Sequence, residues 1–231
     1  VSDCGLMSRR ACEKEIEQGL FEINGVVAVI GDRIDPKKDI VKYKGRVIKP
    51  VNRKRYICLN KPSGYVTTMS DELGRKSVSE LISDVGQRVY PVGRLDMDSE
   101  GLIICTNDGE FANMLMHPRG NVKKVYHVNV KGKIENSTID ALRNMRMIDD
   151  EKIAQAEVAL IERNQNSSRL KITLSEGKNR QIRRMCMQLG LSVMQLRRVS
   201  VGGVFLGSLE SGKWRDLTGE ELAALYGKHK K

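Results

Sequence analysis

Two short apolar runs, at residues 88–92 and 102–106, bracket the polar stretch Gly93-Arg94-Leu95-Asp96-Met97-Asp98-Ser99-Glu100-Gly101, and this pattern constrains the chain more than any other. Runs of that length between turn residues read as strands, so Asp96 falls in a loop joining two of them. A loop carried on a sheet can hold a carboxylate at the mouth of a site. The same residues also read as a polar turn, with Asp96 and Asp98 as solvated turn formers.

Around this segment the chain alternates helix and strand signals. Residues 8–18 read as a short helix that Ser8 caps and Gly19 ends. Apolar runs at 20–23 and 26–30 flank Asn24-Gly25, a dipeptide suited to a tight hairpin turn, and 39–43 adds a strand. The basic stretch 45–54, with Pro50 inside it, reads as a connector. The expected division is a small module at 1–48, a linker at 49–54, a larger domain at 55–227 and a basic tail at 228–231.

In the larger domain, 56–60 reads as a strand, 71–75 as a mobile polar loop, and 78–82 and 110–117 as helices. Residues 122–131 alternate, placing Tyr126, Val128 and Val130 inward. An inward Tyr on such a strand is ordinarily core packing. Ser137 followed by Asp140 predicts a capped helix over 137–145. Two alternating strands, one with Ala156, Val158 and Leu160 and one with Leu170, Ile172 and Leu174, are joined by a loop at 162–168. A helix over 179–189 carries Ile182, Cys186 and Leu189 on one stripe. Arg180 and Arg184 then fall opposite the stripe, toward solvent or phosphate, and Arg183 about 100° from Ile182 at its border. Residues 194–201 read as a strand, 202–212 as a glycine-rich turn region, 214–217 as a final strand, and Thr218 with Glu221 caps a last helix.

With 40 Lys and Arg against 29 Asp and Glu, the chain carries a formal charge of +11, which favours a polyanionic partner such as nucleic acid. Acidic membranes share that preference, but no run of 18 apolar residues exists and the N-terminus lacks the apolar core of a signal peptide. A cytoplasmic protein without a membrane partner is expected. The five cysteines are odd in number and scattered, so free thiols are expected rather than disulfides. Three histidines and no Cys-x-x-Cys argue against a metal site.

Taken with four other stretches in order, the central segment resembles the signature of the RsuA-like branch of pseudouridine synthases. Those stretches are Asn60-Lys61-Pro62-Ser63-Gly64, Lys124-Val125-Tyr126-His127-Val128, Glu176-Gly177-Lys178-Asn179-Arg180-Gln181-Ile182-Arg183-Arg184-Met185 and Trp214-Arg215-Asp216-Leu217-Thr218. The resemblance spans essentially the whole chain and is strongest to the F type of the pseudouridine synthases that modify large-subunit rRNA. It implies an α+β fold: a small S4-type RNA-binding domain, then a catalytic domain with a central, mainly antiparallel sheet flanked by helices. It further implies isomerisation of uridine to its C-glycoside isomer in ribosomal RNA, with tRNA as a possible second substrate.

By the same resemblance Asp96 is the catalytic nucleophile or base, Tyr126 stacks on the base, and Arg183 is the cation that keeps Asp96 ionised. Arg94 fills the gap left by the extruded base. Arg9 and Arg10, with solvated helix charges as their alternative, are expected phosphate contacts, and Lys123, Arg180 and Arg184 are counted with them. Lys61 joins that group, its alternative being a plain turn charge in a stretch that braces the site. The chemistry implies no cofactor and no metal, and a monomer is the default. The alternatives are a small-subunit enzyme and a noncatalytic ribosome-assembly protein; an RNA methyltransferase would need a glycine-rich nucleotide loop after a strand, which the sequence lacks.

Overall fold

Ser8 starts the first helix, α1 (Arg9–Glu17), by accepting a hydrogen bond from the Ala11 amide at 3.2 Å, in a computed structural model that describes residues 4–50, 53–117 and 120–227. Strands β1 (Phe21–Ile23) and β2 (Val26–Val27) turn at Asn24-Gly25, both at positive φ. Strands β3 (Val41–Tyr43) and β4 (Arg46–Ile48) complete an antiparallel sheet in the order β2-β1-β3-β4. Its core is Phe21, Ala28 and Val41, with the Phe21 and Tyr43 rings 4.7 Å apart. Two expectations shift here. The strand at 26–30 stops at Val27, because Asp32 takes the Val29 amide at 2.9 Å and draws the chain off the sheet. The connector begins later than residue 45, since β4 pairs with β3.

The larger sheet is built on β5 (Tyr56–Lys61), which is followed by the short helix α2 (Val78–Leu81), strand β6 (Tyr90–Pro91) and strand β7 (Glu100–Thr106). Both β5 and β7 are nearly continuous apolar runs, as strands covered on two faces must be. Leu102 and Ile104 pack with Phe111 and Leu115 on one side, while Ile103 and Cys105 pack with Val78 and Ile82 on the other. Helix α3 (Gly109–Met116) is capped by Asp108, and β8 (Lys124–Lys131) buries Tyr126, Val128 and Val130 as its alternation requires.

Then come α4 (Asn136–Asn144), β9 (Met147–Ile148), β10 (Glu151–Lys152), β11 (Glu157–Arg163), β12 (Ser167–Leu174), α5 (Gln181–Gln188), β13 (Val193–Val201), β14 (Val204–Phe205), β15 (Trp214–Asp216) and α6 (Gly219–Gly227). Among the described residues the larger sheet has nine strands, in the order β11-β12-β8-β13-β7-β5-β15, with β14 on β13 and β6 on β7. Every pair is antiparallel except β13 with β7. That parallel seam joins the two halves of the domain, Arg198 lying against Gly101.

Helix α4 starts on Glu135, whose carbonyl meets the Thr138 and Ile139 amides, so Ser137 lies in the first turn and is not the cap. Residues 162–168 are mostly strand, with a bulge between Leu160 and Glu162 that turns Ile161 outward. The β9-β10 hairpin, turned by Asp149 and Asp150 at positive φ, was not expected. The loop at 71–75 is closed by an Arg75 to Asp71 ion pair of 2.7 Å. Thr218 and Glu221 do form the reciprocal cap of α6. The described cysteines are free thiols, and no helix among the described residues is long and apolar enough to cross a membrane. The basic tail at 228–231 lies outside the described residues.

Candidate active site

Asp96 lies in the loop that leads into β7, and four bonds fix that loop. Leu95, buried beneath Asp96, exchanges two hydrogen bonds with Thr67: its amide donates to Thr67 Oγ1 at 3.2 Å, and that hydroxyl donates to the Leu95 carbonyl at 2.7 Å. The Ser99 amide donates to the Asp96 carbonyl at 3.1 Å, closing a turn, and the Gly64 amide reaches the Met97 carbonyl at 2.7 Å. Asp96 itself keeps its side chain about one-third exposed, at 37%.

Lys61 anchors the loop from below. Its side chain is fully buried and its Nζ donates to the Ser99 carbonyl at 2.7 Å and the Pro62 carbonyl at 2.9 Å. Burial pushes its pKa down to about 8, against the opposing pull of Asp98, Asp96 and Glu100. Lys61 is therefore not placed to touch RNA, contrary to its expected role, because its strand runs into the core at that point.

The cleft over Asp96 encloses about 490 Å³, the scale of a nucleotide-sized ligand site. Tyr126 lines it from β8, only 7% exposed, on the same face as Val128. Gly177 to Ile182, leading into α5, form the facing wall. Arg94 is exposed at the rim and, among the described residues, has no ion-pair partner.

The arginines distribute differently from the helical-wheel expectation. Arg180 is not within α5: it is the N-cap residue, at φ +46, so its side chain leaves the helix and turns back over the cleft. Its guanidinium bonds Asp98 Oδ1 and Oδ2 at 3.2 and 3.1 Å and lies 3.7 Å from Asp96 Oδ2. Arg183 donates from Nη2 to the Asp98 carbonyl at 2.8 Å, with Nε 3.3 Å from the Asp98 carboxylate. The cation beside Asp96 is thus Arg180, and Arg183 braces the same loop through Asp98. Burial opposes ionisation of Asp98, but the hydrogen bond from Arg180 and the charges of both arginines outweigh it and hold that carboxyl below its usual range.

Arg184 faces away from the cleft. It meets Asp149 and Glu151 at 2.9 Å each and the Ile148 carbonyl at 3.2 Å, tying the β9-β10 hairpin to α5. This corrects its expected phosphate contact: unanticipated carboxylates saturate it. Lys123 pairs with Glu157 at 2.5 Å on an exposed surface. Arg10 is exposed on α1, whereas the Arg9 guanidinium lies against Gly109 at the start of α3.

Two cleft residues were given no role from the sequence: Arg198 on β13, and Lys124 on β8, which stood only in the Lys124–Val128 stretch. Arg198 shares the inward phase of its strand with Leu196 and Ser200, and all three are buried. A charge at the inward phase of an alternating strand was the available signal. Among the described residues no group of three or more His, Cys, Asp and Glu could hold a metal ion.

Residues 55–188 match the sequence model of the family described as RNA pseudouridylate synthase. An uncharacterized RNA pseudouridine synthase of Aquifex aeolicus (strain VF5) is 40% identical over 98% of this chain and 91% of its own. The ribosomal large subunit pseudouridine synthase B of Bacillus subtilis (strain 168) is 35% identical, over 97% and 93%. The dual-specificity RNA pseudouridine synthase RluF of Escherichia coli (strain K12) is 36% identical, over 98% and 76%. A crystal structure described as a pseudouridylate synthase superposes with a TM-score of 0.70 at 27% identity, covering 97% of this chain and 96% of that one.

Proposed function

The chain belongs to the RNA pseudouridine synthases, which makes it an isomerase, and from that premise we propose that it acts on a uridine of large-subunit ribosomal RNA with Asp96 at the reacting centre. The reaction breaks the C1′–N1 bond, turns the uracil and joins C5 to C1′; N1 ends protonated and the C5 proton leaves. Asp96 either adds to C1′ or removes a ribose proton. Both roles require a carboxylate fixed at the sugar with no competing bond across its face.

One observation carries this reading: Asp96 opens into the cleft, partly exposed, on a loop held by Thr67, Lys61 and Gly64, with Arg180 3.7 Å away. Tyr126 supplies an aromatic face where the uracil would turn. Arg94, exposed at the rim, is the residue that would occupy the space an extruded base vacates. The small sheet with α1 serves as the RNA-binding module of S4 type, with Arg10 on its outer face. The reaction exchanges protons and one glycosidic bond, so the proposed chemistry uses no cofactor. The names of the relatives, one referring to the large ribosomal subunit and another to dual specificity, support ribosomal RNA as the substrate class and leave room for a second RNA.

The test is tritium release from RNA labelled at uridine C5, with separate subunit transcripts and Asp96→Asn as control. Release by the wild type from large-subunit transcripts, abolished in Asp96→Asn with RNA binding retained, is expected. Release confined to small-subunit RNA would overturn the target, and tight binding without release from any RNA would favour a noncatalytic assembly role.

A further inference from the structure

Arg198 on β13 and Lys124 on β8 stand in the wall of the cleft that holds Asp96, and the register sets them near one another. Arg198 pairs with Tyr126, and Lys124 lies two residues before Tyr126 on the same strand, hence on the same face. Arg198 is only 4% exposed, and its Nε donates to the Leu102 carbonyl at 2.6 Å. Among the described residues neither cation forms an ion pair with a carboxylate. Glu176, the acid whose charge bears on Lys124, is engaged by the Ala154 amide and by Gln181 Nε2. Burial, and then the charge of Arg198, weaken the hold of Lys124 on its proton.

Two neighbouring cations largely out of water are costly unless an anion joins them. The nearby acid Asp96 is faced from the other wall by Arg180. We infer that Arg198 and Lys124 form a subsite for one backbone phosphate of the RNA, next to the uridine that reacts at Asp96. Arg198 Nε is committed to Leu102, which orients the guanidinium and leaves its remaining N–H groups for phosphate oxygens. Lys124 adds a point charge. Such a contact carries no sequence information and sets position, holding the ribose over Asp96. The subsite rests on the RNA reading above.

The test is phosphate-ethylation interference on large-subunit rRNA fragments, with tritium release scored in parallel. Randomly ethylated fragments are partitioned into bound and free pools for wild type, Lys124→Gln, Lys124→Arg and Arg198→Lys, each first checked for wild-type secondary structure. Ethylation of one phosphate flanking the modified uridine is expected to block binding by the wild type and by Lys124→Arg. Lys124→Gln is expected to lose that block while keeping the others, and to bind unmodified RNA roughly tenfold more weakly, the usual weight of one charge-assisted hydrogen bond. Arg198→Lys, which keeps the charge and loses the fork, should weaken the same block. If no block is shared by wild type and Lys124→Arg yet missing in Lys124→Gln, the subsite is overturned. Interference is read from binding alone, so tight binding with the expected pattern but no tritium release overturns the proposed reaction and leaves the subsite standing.

Discussion

A Cβ built on Gly101 would lie 2.2 Å from the carbonyl oxygen of Arg198. The backbones of β7 and β13 therefore touch at the point where the Asp96 loop enters the sheet, and this contact makes the parallel seam. It also brings Arg198, from late in the chain, under a loop formed far earlier. The glycine of the central signature is thus a packing requirement between two strands, with a φ of +106 that L side chains avoid.

Gly101→Ala should consequently destabilise the protein by about 2–4 kcal/mol, combining positive-φ strain with a backbone clash that no side-chain rotation relieves. Urea unfolding reads this directly. A loss below about 0.5 kcal/mol would mean that the seam opens easily and that the close approach is not a constraint.

Lys61 makes stability depend on alkaline pH. Its folded-state pKa, about 8, lies below the ordinary lysine value of 10.5, so between those values the unfolded chain binds more protons than the folded one. Stability should therefore rise as pH climbs from about 8 toward 10.5, by at most about 3.5 kcal/mol at roughly 1.4 kcal/mol per pKa unit. Below pH 8 both states are protonated and the penalty is constant. Denaturant midpoints at pH 7.5 and 9.5, compared between wild type and Lys61→Met, isolate this contribution. Equal pH slopes in the two proteins would show that Lys61 stays charged when folded.

Arg184 is assigned to structure and not to RNA. Arg184→Gln should cost about 1 kcal/mol, since its carboxylate partners are largely exposed, and should leave RNA affinity and its salt dependence at wild-type values. A shallower salt slope for the variant would restore Arg184 as a phosphate contact.

Arg180 and Arg183 should separate in kinetics. Arg180→Gln removes the cation beside Asp96 and should lower the single-turnover rate about a hundredfold at saturating RNA. Arg183→Gln loosens Asp98, so its rate loss should come with a more easily unfolded loop, visible as faster amide exchange at 96–99. If Arg183→Gln impairs chemistry more than Arg180→Gln while exchange stays unchanged, then Arg183 swings to Asp96 when RNA binds.

Much of this architecture was written locally. Asn24-Gly25, the alternation of β8 and the Thr218 to Glu221 cap are short-range signals, set by dihedral preference and by the two-residue and 3.6-residue periods, and the elements formed where those signals stand. The placement of Asp96 on a partly exposed loop was legible too, because a polar stretch between two apolar strands is left at the surface. The pairing of charges was not legible. A helical wheel presumes that Arg180 belongs to the helix, and one residue at positive φ removes it from the wheel and sends it to Asp98 and Asp96. Arg184 looked free because its acids lie in a hairpin of two-residue strands that carries almost no periodic signal. Arg198 and Lys124 become neighbours only through the pairing of β13 with β8. Periodicity acts over a few residues and sequence alone resolves it; electrostatics acts through space, and which charges meet was decided by the tertiary arrangement that brings distant elements together.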